Sequence, residues 1–536
     1  MAPRPLSHTR PHVLLSSLLL LTNVVRVTTA TASPATAALP RFVADPPRAS
    51  PVAGTKPFTG FTAARAWGSA DARRASLEFL YVAVADVVKG PRPGADDDWE
   101  SVFEPALRAA AVKSRHVIVR FYLDYPNKPS GVPEYLRDGG LRMDSYTEYG
   151  GGQSPDYFNE TLLQAVVDFV GRFGARYDND TRIGFVQMGM LGFWGEWHTY
   201  PHTAWFPPQA TQNRIFDAYL QAFPTTLLMQ RYPSVGGTSV RPRLGLFDDS
   251  FAYSTLSDKQ SLQWYFWPRV LAAGQGDFWK SSPMGGELRP ELQSKIFATD
   301  RSQYVLSDDK QAWNETVDTT HVSWLLNNYA FSGAPDATER SVTNVAEQRM
   351  GYELWVSHVE VSQTEEGALL VNATLGNAGV APFYYNLMLI VEMELLTAAG
   401  SRSTHSEAVV VPRVLPGDTS QLFATMRNVT APSWTSLASV TLSLCCSRCY
   451  EARPVPLSNV GVNATTGALK LSVGEGQFLF QQVQLPVASG SPSPTDGSRG
   501  TANNAPSLSD GGAATMSLAE QAALWCGLLL LAARSL

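Results

Sequence analysis

Two glutamates are the residues best suited to do chemistry, because each lies in an unusual local sequence. Glu196 stands between Trp194 and Trp197 in GFWGEWHT, and Glu287 follows two glycines in PMGGEL. Two facing carboxyl groups can hydrolyse a glycosidic bond. One is kept protonated and protonates the leaving oxygen, while the other is ionised and attacks the sugar or activates water. The sequence therefore predicts an acid pair suited to sugar chemistry.

The surroundings of the two glutamates indicate which of them carries the proton. The flanking tryptophans are expected to desolvate Glu196 and raise its pKa, whereas Arg231 or Arg120 would keep Glu287 ionised. The glycines before Glu287 indicate a close backbone approach or a turn. Two plainer interpretations stay open: Glu196 as a structural partner of a neighbouring loop, and Glu287 as an exposed loop acid.

Other polar and aromatic residues follow the same predicted strands and make a surface suited to carbohydrate. Sugar hydroxyls pair with charged and amide side chains, and the apolar face of a sugar ring packs on Trp or Tyr. The candidate substrate-binding residues are Arg120, Tyr122, Asp124, Trp194, Trp197, His198, Arg231, Asp248, Asp249, His321, Trp324 and Asn327. Core packing is an equally good interpretation of the three tryptophans, and a turn or helix cap is one for the adjacent aspartates.

The sequence predicts no cofactor and no metal site. It contains neither HExxH nor GxSxG, and no GxGxxG or GxxxxGK follows the first predicted strand. His198 and His202 are four residues apart, but the proline between them disfavours a helical pair of zinc ligands. The alternative is a metal site built from Glu196, His198, His202 and Asp249.

Strands that alternate with helices must position the two glutamates. Helical periodicity is clear in DWESVFEPALRAAAVKS and NETLLQAVVDFVGRFGARY, each of which precedes an apolar run. This alternation over about 270 residues predicts a (β/α)8 barrel, with a doubly wound open sheet as the alternative. The predicted strands are 58–61, 77–87, 116–124, 183–190, 225–232, 244–249, 282–287 and 321–327.

The spacing of the two glutamates fits this barrel. They are about 90 residues apart, or three βα units of about 30 residues, so they would end strands four and seven and face each other across the barrel mouth. After residue 350 the pattern changes to short runs punctuated by Gly, Pro and Asn, which predicts an antiparallel β-sandwich. Its predicted strands are 352–362, 368–377, 386–396, 406–414, 419–428, 439–447 and 469–485. The predicted domains are a barrel over 56–346 and a sandwich over 347–486.

The two ends of the chain have the composition of targeting signals. Residues 1–32 combine early arginines, an apolar run and a small-residue cleavage site, as in a secretory signal peptide. Residues 512–536 follow small residues and end in a short apolar run, as in a glycosylphosphatidylinositol (GPI) anchor signal, with a poor transmembrane tail as the alternative. Residues 33–55 are predicted to be a linker and 487–511 a Ser/Pro/Gly stalk. We therefore expect a protein on the extracellular face of the plasma membrane.

The composition fits an extracellular glycoprotein and argues against a nucleic-acid partner. Only 42 of 536 residues are Lys or Arg and the net charge is -6, so no basic face for phosphates is expected. Without the anchor signal the cysteines Cys445, Cys446 and Cys449 remain, which allows one disulfide and one free thiol. Asn-x-Ser/Thr acceptors agree with secretion, and they stand at Asn159, Asn179, Asn314, Asn372, Asn428 and Asn463.

The placement of Glu196 and Glu287 resembles that in clan A, the retaining glycoside hydrolases with (β/α)8 barrels. DDDWESVFEPALRAAAVKSRHVIVRF also resembles the passage around strand two and helix two of that clan. The resemblance implies Glu196 as the acid/base and Glu287 as the nucleophile. One position departs from the pattern. Clan members carry Asn before the acid/base, where it binds the sugar 2-hydroxyl, and this chain has Gly195.

A second resemblance covers nearly the whole mature chain. A family of secreted bacterial and eukaryotic proteins, defined only as a domain of unknown function, is similar in FYLDYPNKPSGVPEYL, GFVQMGMLGFWGEWHTYPH, LGLFDDSFAYST, PMGGELRPEL, HVSWLLNN and GNAGVAPFYYN. It implies a barrel followed by a β-sandwich. We expect a membrane-anchored, glycoside hydrolase-like protein that acts on oligo- or polysaccharide. The alternative, favoured by Gly195, is a carbohydrate-binding protein without turnover.

Overall fold

The computed structural model describes residues 41–65, 73–233, 244–256, 265–297, 311–364, 368–397, 399–426, 429, 436–451, 453–473 and 481–483. The predicted signal peptide, stalk and anchor signal lie outside these ranges, and so does the acceptor Asn428. Within the ranges the chain forms a parallel sheet of eight strands and two larger antiparallel sheets. No helix within them is both long and apolar enough to cross a membrane.

Eight parallel strands form the barrel, and each predicted run overlaps one of them. They are β1 Gly60–Thr62, β2 Leu77–Ala83, β3 His116–Tyr122, β4 Ile183–Gln187, β5 Leu228–Gln230, β6 Leu244–Phe251, β7 Met284–Leu288 and β8 Trp324–Leu326. Pairing runs unbroken from β2 to β8, and β8 pairs with β1. A bridge from Ala64 to Phe79 narrows the remaining gap between β1 and β2. The nearly closed sheet confirms the predicted barrel and excludes the open-sheet alternative.

Amphipathic helices pack against the outside of the barrel strands. The α-helices of the described residues are α1 Val84–Val87, α2 Trp99–Val112, α3 Glu134–Asp138, α4 Glu160–Tyr177, α5 Gln209–Ala222, α6 Phe266–Ala272, α7 Trp313–Thr320, α8 Asn328–Phe331 and α9 Ala337–Gln348. The two helices predicted from periodicity are α2 and α4. Both begin at a side-chain cap: Asp98 accepts from Ser101 N (3.0 Å) and Asn159 from Leu162 N (3.1 Å). The predicted second strand is too long, because its last four residues form α1.

Two antiparallel sheets follow the barrel, and buried residues from both belong to one apolar core. This confirms the predicted antiparallel C-terminal sheets. The predicted run 469–485 contains two of the strands. The five-stranded sheet has the order Thr419–Met426, Leu369–Asn377, Leu354–Gln363, Arg41–Ala44 and Gln481–Val483, and the four-stranded sheet has the order Arg402–Val411, Leu387–Leu396, Ser436–Cys445 and Leu469–Ser472.

One strand of the five-stranded sheet comes from the segment predicted to be a linker. Arg41–Ala44 pairs antiparallel with Leu354–Gln363, so the linker prediction for 33–55 is wrong at residues 41–44. Phe42 is buried in the core, while Arg41 is exposed and forms an ion pair with Glu360 (2.7 Å). A strand of four residues gives too short an alternation to be recognised from sequence.

The sandwich contacts the barrel at the N-terminal ends of the barrel strands. Arg448 donates to Ile183 O (2.8 Å), the first residue of β4, and Tyr385 Oη donates to Gly184 O (2.6 Å). These contacts lie at the opposite end of β4 from the loop that carries Glu196. The sandwich therefore contacts the end of the barrel opposite to the acidic side chains.

Candidate active site

Glu196 lies in a tight loop that follows β4. Met190, Trp194 and Trp197 in this loop have left-handed φ angles of 73°, 55° and 61°, although none is glycine. Such conformations cost about 1–3 kcal/mol each and persist only where the surrounding contacts enforce them. One such contact is the amide of Trp197, which donates to Leu191 O (2.9 Å). The loop therefore stores strain at the place where it presents Glu196.

Arg120 connects the ends of three barrel strands. Its guanidinium, fully buried on β3, donates to Gln187 Oε1 at the end of β4 (2.7 Å) and to Asp249 Oδ2 on β6 (2.7 Å). Arg120 Nη1 also lies 3.4 Å from Glu196 Oε1. The ring of Tyr81 lies under the guanidinium, with 5.2 Å between Cζ and the ring centroid. A buried cation is thus shared between two carboxylates at the carboxyl ends of the strands.

Glu287 occupies a bulge in β7. The pairing of β7 with β6 shifts register between Gly286 and Leu288, and bulges of this kind re-aim a side chain. Gly286 has φ +147°, and a Cβ at this position would lie 2.0 Å from Asp248 O. This agrees with the close backbone approach expected from the two glycines. Glu287 is 6% exposed, and its Oε1 lies 3.4 Å from Gln293 Nε2.

The protonation of Glu287 differs from the prediction. Burial raises the pKa of Glu287 well above its ordinary value, and the negative charges of Asp249 and Glu196 raise it further. Arg120 opposes this shift without cancelling it. The expectation that Arg231 or Arg120 keeps Glu287 ionised is therefore wrong, because the carboxyl is buried next to two other acids.

Glu196 shows the opposite shift. Burial raises its pKa, but the contact with His198 and the positive charges of Arg120 and Arg231 together bring the pKa below its ordinary value. His198 Nε2 lies 3.6 Å from Glu196 Oε2. The prediction of a raised pKa at Glu196 is therefore wrong, since the hydrogen bond from His198 and the charges of Arg120 and Arg231 outweigh the desolvation.

The adjacent aspartates of β6 both lie near Arg231, whose Nε is 3.8 Å from Asp249 Oδ2, but they differ in their other partners. Burial raises the pKa of Asp249 to about 6, with the charge of Arg120 opposing that rise and Glu196 adding to it. Asp248 accepts from Thr255 Oγ1 (2.7 Å) and lies 3.4 Å from Arg231 Nη1. Asp249 therefore belongs to the acid cluster around Arg120, whereas Asp248 mainly fixes the backbone after β6.

Aromatic side chains surround the acid cluster. Tyr122 and Tyr125 form an apolar cluster against which Tyr81 and Trp194 pack. Tyr149 meets Trp194 edge to face, with 4.9 Å between ring centroids, and is 47% exposed. We call these five residues the aromatic rim. Partly exposed rings beside carboxylates are the surface on which a sugar ring can stack.

The structure brings nine predicted substrate-binding residues to this end of the barrel, and it adds some that the sequence analysis missed. The nine are Arg120, Tyr122, Asp124, Trp194, His198, Arg231, Asp248, Asp249 and Asn327. Gln187, Tyr81, Tyr125 and Tyr149 were missed. Gln187 was visible in the sequence as a polar residue within the predicted fourth strand, but nothing there distinguished the three tyrosines.

Three predicted binding residues, Trp197, Trp324 and His321, lie away from the site. Trp197 is buried, stacks on Phe216 (4.5 Å between centroids) and donates from Nε1 to Met188 O (2.6 Å), so it is a core residue. Trp324 is fully buried and covers Gly285, where a Cβ would lie 2.2 Å from its ring.

His321 precedes β8 instead of following it. Its ring stacks on Trp279 (3.4 Å between centroids), and its Nδ1 lies 2.5 Å from Val380 O. His321 is therefore at the N-terminal end of the strand, next to the segments that follow the barrel. The prediction that His321 binds substrate is wrong for this reason.

Asp124 and Asn327 follow strands at the same end as the acid cluster but have structural partners. Asp124 is buried, accepts from Tyr146 Oη (2.5 Å) and has its pKa raised to about 6 by burial. Asn327 is buried and caps α8 by accepting from Ala330 N (3.2 Å). Both residues anchor loops around the mouth.

The acid cluster is not arranged as a metal centre. Over the described ranges, no group of three or more His, Cys, Asp or Glu side chains has the geometry to hold a metal ion. His202 stacks on Trp205 (3.9 Å) and contacts Glu148 (3.0 Å), so it lies apart from Glu196 and Asp249. The alternative prediction, a metal site built from Glu196, His198, His202 and Asp249, is therefore wrong, because His202 does not join the other residues.

Comparisons with known proteins give distant likenesses only. No family model and no curated protein matches the chain. The catalytic domain of beta-amylase from Paenibacillus polymyxa is 10% identical over 55% of this chain and 98% of its own, with TM-score 0.34. Thermotoga maritima Cel5A, in complex with mannotriose, is 8% identical over 54% and 97%, with TM-score 0.28. A GH5 family lichenase from Caldicellulosiruptor sp. F32 is 10% identical over 51% and 78%, with TM-score 0.27. Likenesses this low carry no activity over to the present chain.

Proposed function

We propose that the protein cleaves or transfers a glycosidic bond at the carboxyl end of its barrel, with Glu196 and Glu287 as the catalytic pair. The observation that carries the proposal is that Glu196, in the loop after β4, lies 3.4 Å from Arg120, which also binds Asp249, and that the charges of Asp249 and Glu196 act on the buried Glu287 of β7. An enclosing aromatic rim supplies the stacking surface that a sugar requires. Carbohydrate is therefore the proposed partner.

The roles that we propose follow the surroundings of each carboxyl group. Glu287, buried beside other acids, holds a proton at neutral pH and donates it to the leaving oxygen. Glu196, next to Arg120 and His198, is ionised and attacks the anomeric carbon, which gives a covalent glycosyl-enzyme and hence retention. The Glu287 carboxylate then takes a proton from the water that releases the sugar. This assignment reverses the roles implied by the resemblance to clan A.

A screen of aryl glycosides tests the proposal. Wild type is compared with Glu196→Gln, Glu287→Gln and the matched control Glu100→Gln, whose side chain is 64% exposed on α2. We expect turnover by wild type and the control, and a loss of at least about 100-fold in both site variants. Equal background signal from all four proteins across the panel would remove the enzyme proposal.

Azide distinguishes the two proposed roles. A small anion can replace a missing nucleophile, so Glu196→Ala is expected to regain turnover with azide and to release a glycosyl azide of inverted anomeric configuration. Glu287→Ala is expected to keep activity only on substrates with a good leaving group and to yield azide of retained configuration. The reverse pattern would restore the roles implied by the clan.

The second candidate is a carbohydrate-binding protein without turnover, and Gly195 favours it. Gly195 has φ +70°, and a Cβ there would lie 3.2 Å from Phe121 O, so the asparagine of clan A would be strained at this position. Calorimetric titration with oligosaccharides separates the candidates. Binding without turnover in wild type, weakened by Tyr149→Ala, would favour the binding protein.

We also propose that the protein is secreted, glycosylated and held on the plasma membrane by a GPI anchor, as its sequence ends indicate, and that it is a member of the domain-of-unknown-function family. The acceptors Asn179, Asn314 and Asn463 are exposed, whereas Asn159 and Asn372 are half-buried. Release from intact cells by phosphatidylinositol-specific phospholipase C tests the anchor. Retention on cells after that treatment, while a known GPI-anchored protein is released, would contradict it.

A further inference from the structure

The acceptor Asn372 differs from the other glycosylation acceptors in its surroundings. It lies in the middle of the strand Leu369–Asn377, between the buried residues Val371 and Ala373. Side chains alternate between the two faces of a strand, so Asn372 points to the outer face of the five-stranded sheet. Among the acceptors that the structure describes, only Asn372 belongs to a β-strand. A glycan on this residue would therefore lie on the surface of a sheet.

An exposed aromatic residue stands directly opposite Asn372. The antiparallel pairing with the strand Thr419–Met426 makes Phe423 the cross-strand partner of Asn372. Phe423 is 53% exposed and lies between the buried residues Leu422 and Ala424, so its ring leaves the sheet on the same face as Asn372. The Cβ atoms of directly opposite residues are about 4.5–5.5 Å apart, which is close enough for their side chains to interact.

The outer face of the strand Thr419–Met426 is otherwise polar. Its other outward residues are Thr419, Gln421 and Thr425. On the opposite side of Asn372 the cross-strand partner is Glu360, which forms an ion pair with Arg41 (2.7 Å). A single exposed ring is ordinary on a protein surface, but this ring is the apolar surface that lies beside a sugar on Asn372.

The side-chain amide of Asn372 is not tied into the fold. Its Oδ1 is buried without a hydrogen-bond partner, and its Nδ2 makes no hydrogen bond with any residue in the described ranges. A sugar is attached to an asparagine through the side-chain nitrogen. Attachment at Asn372 Nδ2 therefore breaks no hydrogen bond of the folded chain.

We propose that Asn372 carries an N-linked glycan whose first N-acetylglucosamine stacks on the ring of Phe423 and covers it. The inference rests on the proposed secretion and glycosylation and is independent of the proposed sugar chemistry in the barrel. Packing of the apolar face of the sugar on the aromatic ring supplies the attraction. Thr419–Met426 is the outermost strand of its sheet, and an exposed aromatic residue on such a strand favours pairing with other chains. The glycan therefore shields this edge.

The glycan comes from an oligosaccharide linked to a polyprenyl diphosphate, the donor of the secretory pathway. Asn372 Nδ2 attacks the anomeric carbon of the first N-acetylglucosamine, and the bond from that carbon to the diphosphate oxygen breaks. The polyprenyl diphosphate leaves with the electron pair, and one Nδ2 proton passes to a base of the transferase. Thr374 completes the acceptor sequence that the transferase requires.

Glycopeptide mass spectrometry and enzymatic deglycosylation of the native, full-length protein from secreting cells test the stacking. We expect Asn372 to be occupied. Phe423→Val keeps an apolar residue suited to a strand but loses the ring, and we expect peptide:N-glycosidase F to release the glycan at Asn372 about 2- to 10-fold faster from this variant than from wild type. Glycans at the exposed acceptors Asn314 and Asn463 are the internal controls and should be released at equal rates from both proteins.

The outcomes separate this inference from the proposed glycosylation. An unoccupied Asn372 in a protein that carries glycans at other acceptors would overturn the inference and leave the proposed glycosylation standing. A secreted protein without a glycan at any acceptor would contradict both. Equal release rates at Asn372 in wild type and Phe423→Val would overturn the stacking alone.

Thermal unfolding tests whether the glycan and the ring act together. Thr374→Ala abolishes the acceptor sequence while keeping Asn372. We expect Phe423→Val to lower the Tm by about 1–4 °C more in the glycosylated protein than in the Thr374→Ala background. Asn314→Gln, which removes an exposed glycan on α7, is the matched control and should leave the effect of Phe423→Val unchanged. The same change in Tm with and without the glycan at Asn372 would overturn the inference.

Discussion

Arg120→Met removes the positive charge that the acid cluster shares. The guanidinium is fully buried and lies 2.7 Å from Asp249 and 3.4 Å from Glu196. Breaking a buried ion pair on one side costs about 3–5 kcal/mol, since the remaining charge is left without compensation. We therefore expect the free energy of unfolding to fall by about 3–5 kcal/mol at pH 8.

The loss should depend on pH in a definite direction. Without the cation, the pKa values of Asp249, Glu196 and Glu287 are higher in the folded state than in wild type, so the folded variant binds protons more tightly. Its stability then falls more steeply as pH rises above the unfolded pKa values near 4. Asp249 already has a pKa of about 6 in wild type. One pKa unit is worth about 1.4 kcal/mol, so we expect the deficit to be at least about 1 kcal/mol smaller at pH 5 than at pH 8.

Urea unfolding followed by tryptophan fluorescence at pH 5, 6.5 and 8 measures these differences. Arg108→Met is the matched control, because Arg108 is 64% exposed and its loss should change stability by no more than about 0.5 kcal/mol. The double variant Arg120→Met/Asp249→Asn removes one uncompensated charge and should regain part of the loss. A deficit independent of pH, together with a double variant no more stable than the single one, would refute the shared-cation reasoning.

Three further outcomes follow from the site. Glu287→Gln removes a carboxyl whose folded pKa is raised, so it should be more stable than wild type by a margin that grows from pH 4 to pH 8 in thermal unfolding, even though activity is lost. Gly286→Ala must place a Cβ near Asp248 O at φ +147°, and we expect its free energy of unfolding in urea to fall by at least about 2 kcal/mol. Gly171→Ala is the control: it lies in open space on α4, and its free energy of unfolding should rise by about 0.5–1 kcal/mol. Tyr149→Ala should weaken oligosaccharide binding in calorimetry while changing stability by less than about 0.5 kcal/mol.

The sequence was informative where the pattern was long and uniform. The barrel strands are buried on both faces, so they read as continuous apolar runs separated by helical periodicity. The close backbone approach predicted from the Gly-Gly-Glu motif of β7 was also confirmed, because only glycine accepts the backbone conformation that Gly286 adopts beside Asp248. The strand Arg41–Ala44 escaped prediction, since four residues far from their partner strands in the chain carry no periodicity.

Protonation in the site could not be predicted from neighbours in the sequence. Trp197, adjacent to Glu196, turns away and stacks on Phe216, while the groups that lower the pKa of Glu196 include Arg120 and Arg231 from other strands. Likewise, Glu287 takes its raised pKa from burial and from acids on β6 and the β4 loop. These are tertiary neighbours, and their distances depend on how the barrel closes.

The charge balance at the mouth explains why the pKa of Glu287 is raised while that of Glu196 is lowered. Asp249 and Glu196 lie within ion-pair distance of Arg120, but no cation of the described chain lies within 4 Å of Glu287. Four carboxyl groups, Asp248 included, share the two guanidiniums of Arg120 and Arg231. Full ionisation therefore leaves excess negative charge in a buried place, which is costly. Glu287 lacks a cation within ion-pair distance, and its pKa is therefore raised well above its ordinary value. The bulge at Gly286 sets the position of Glu287, so a single backbone irregularity of β7 contributes to the raised pKa of this buried carboxyl.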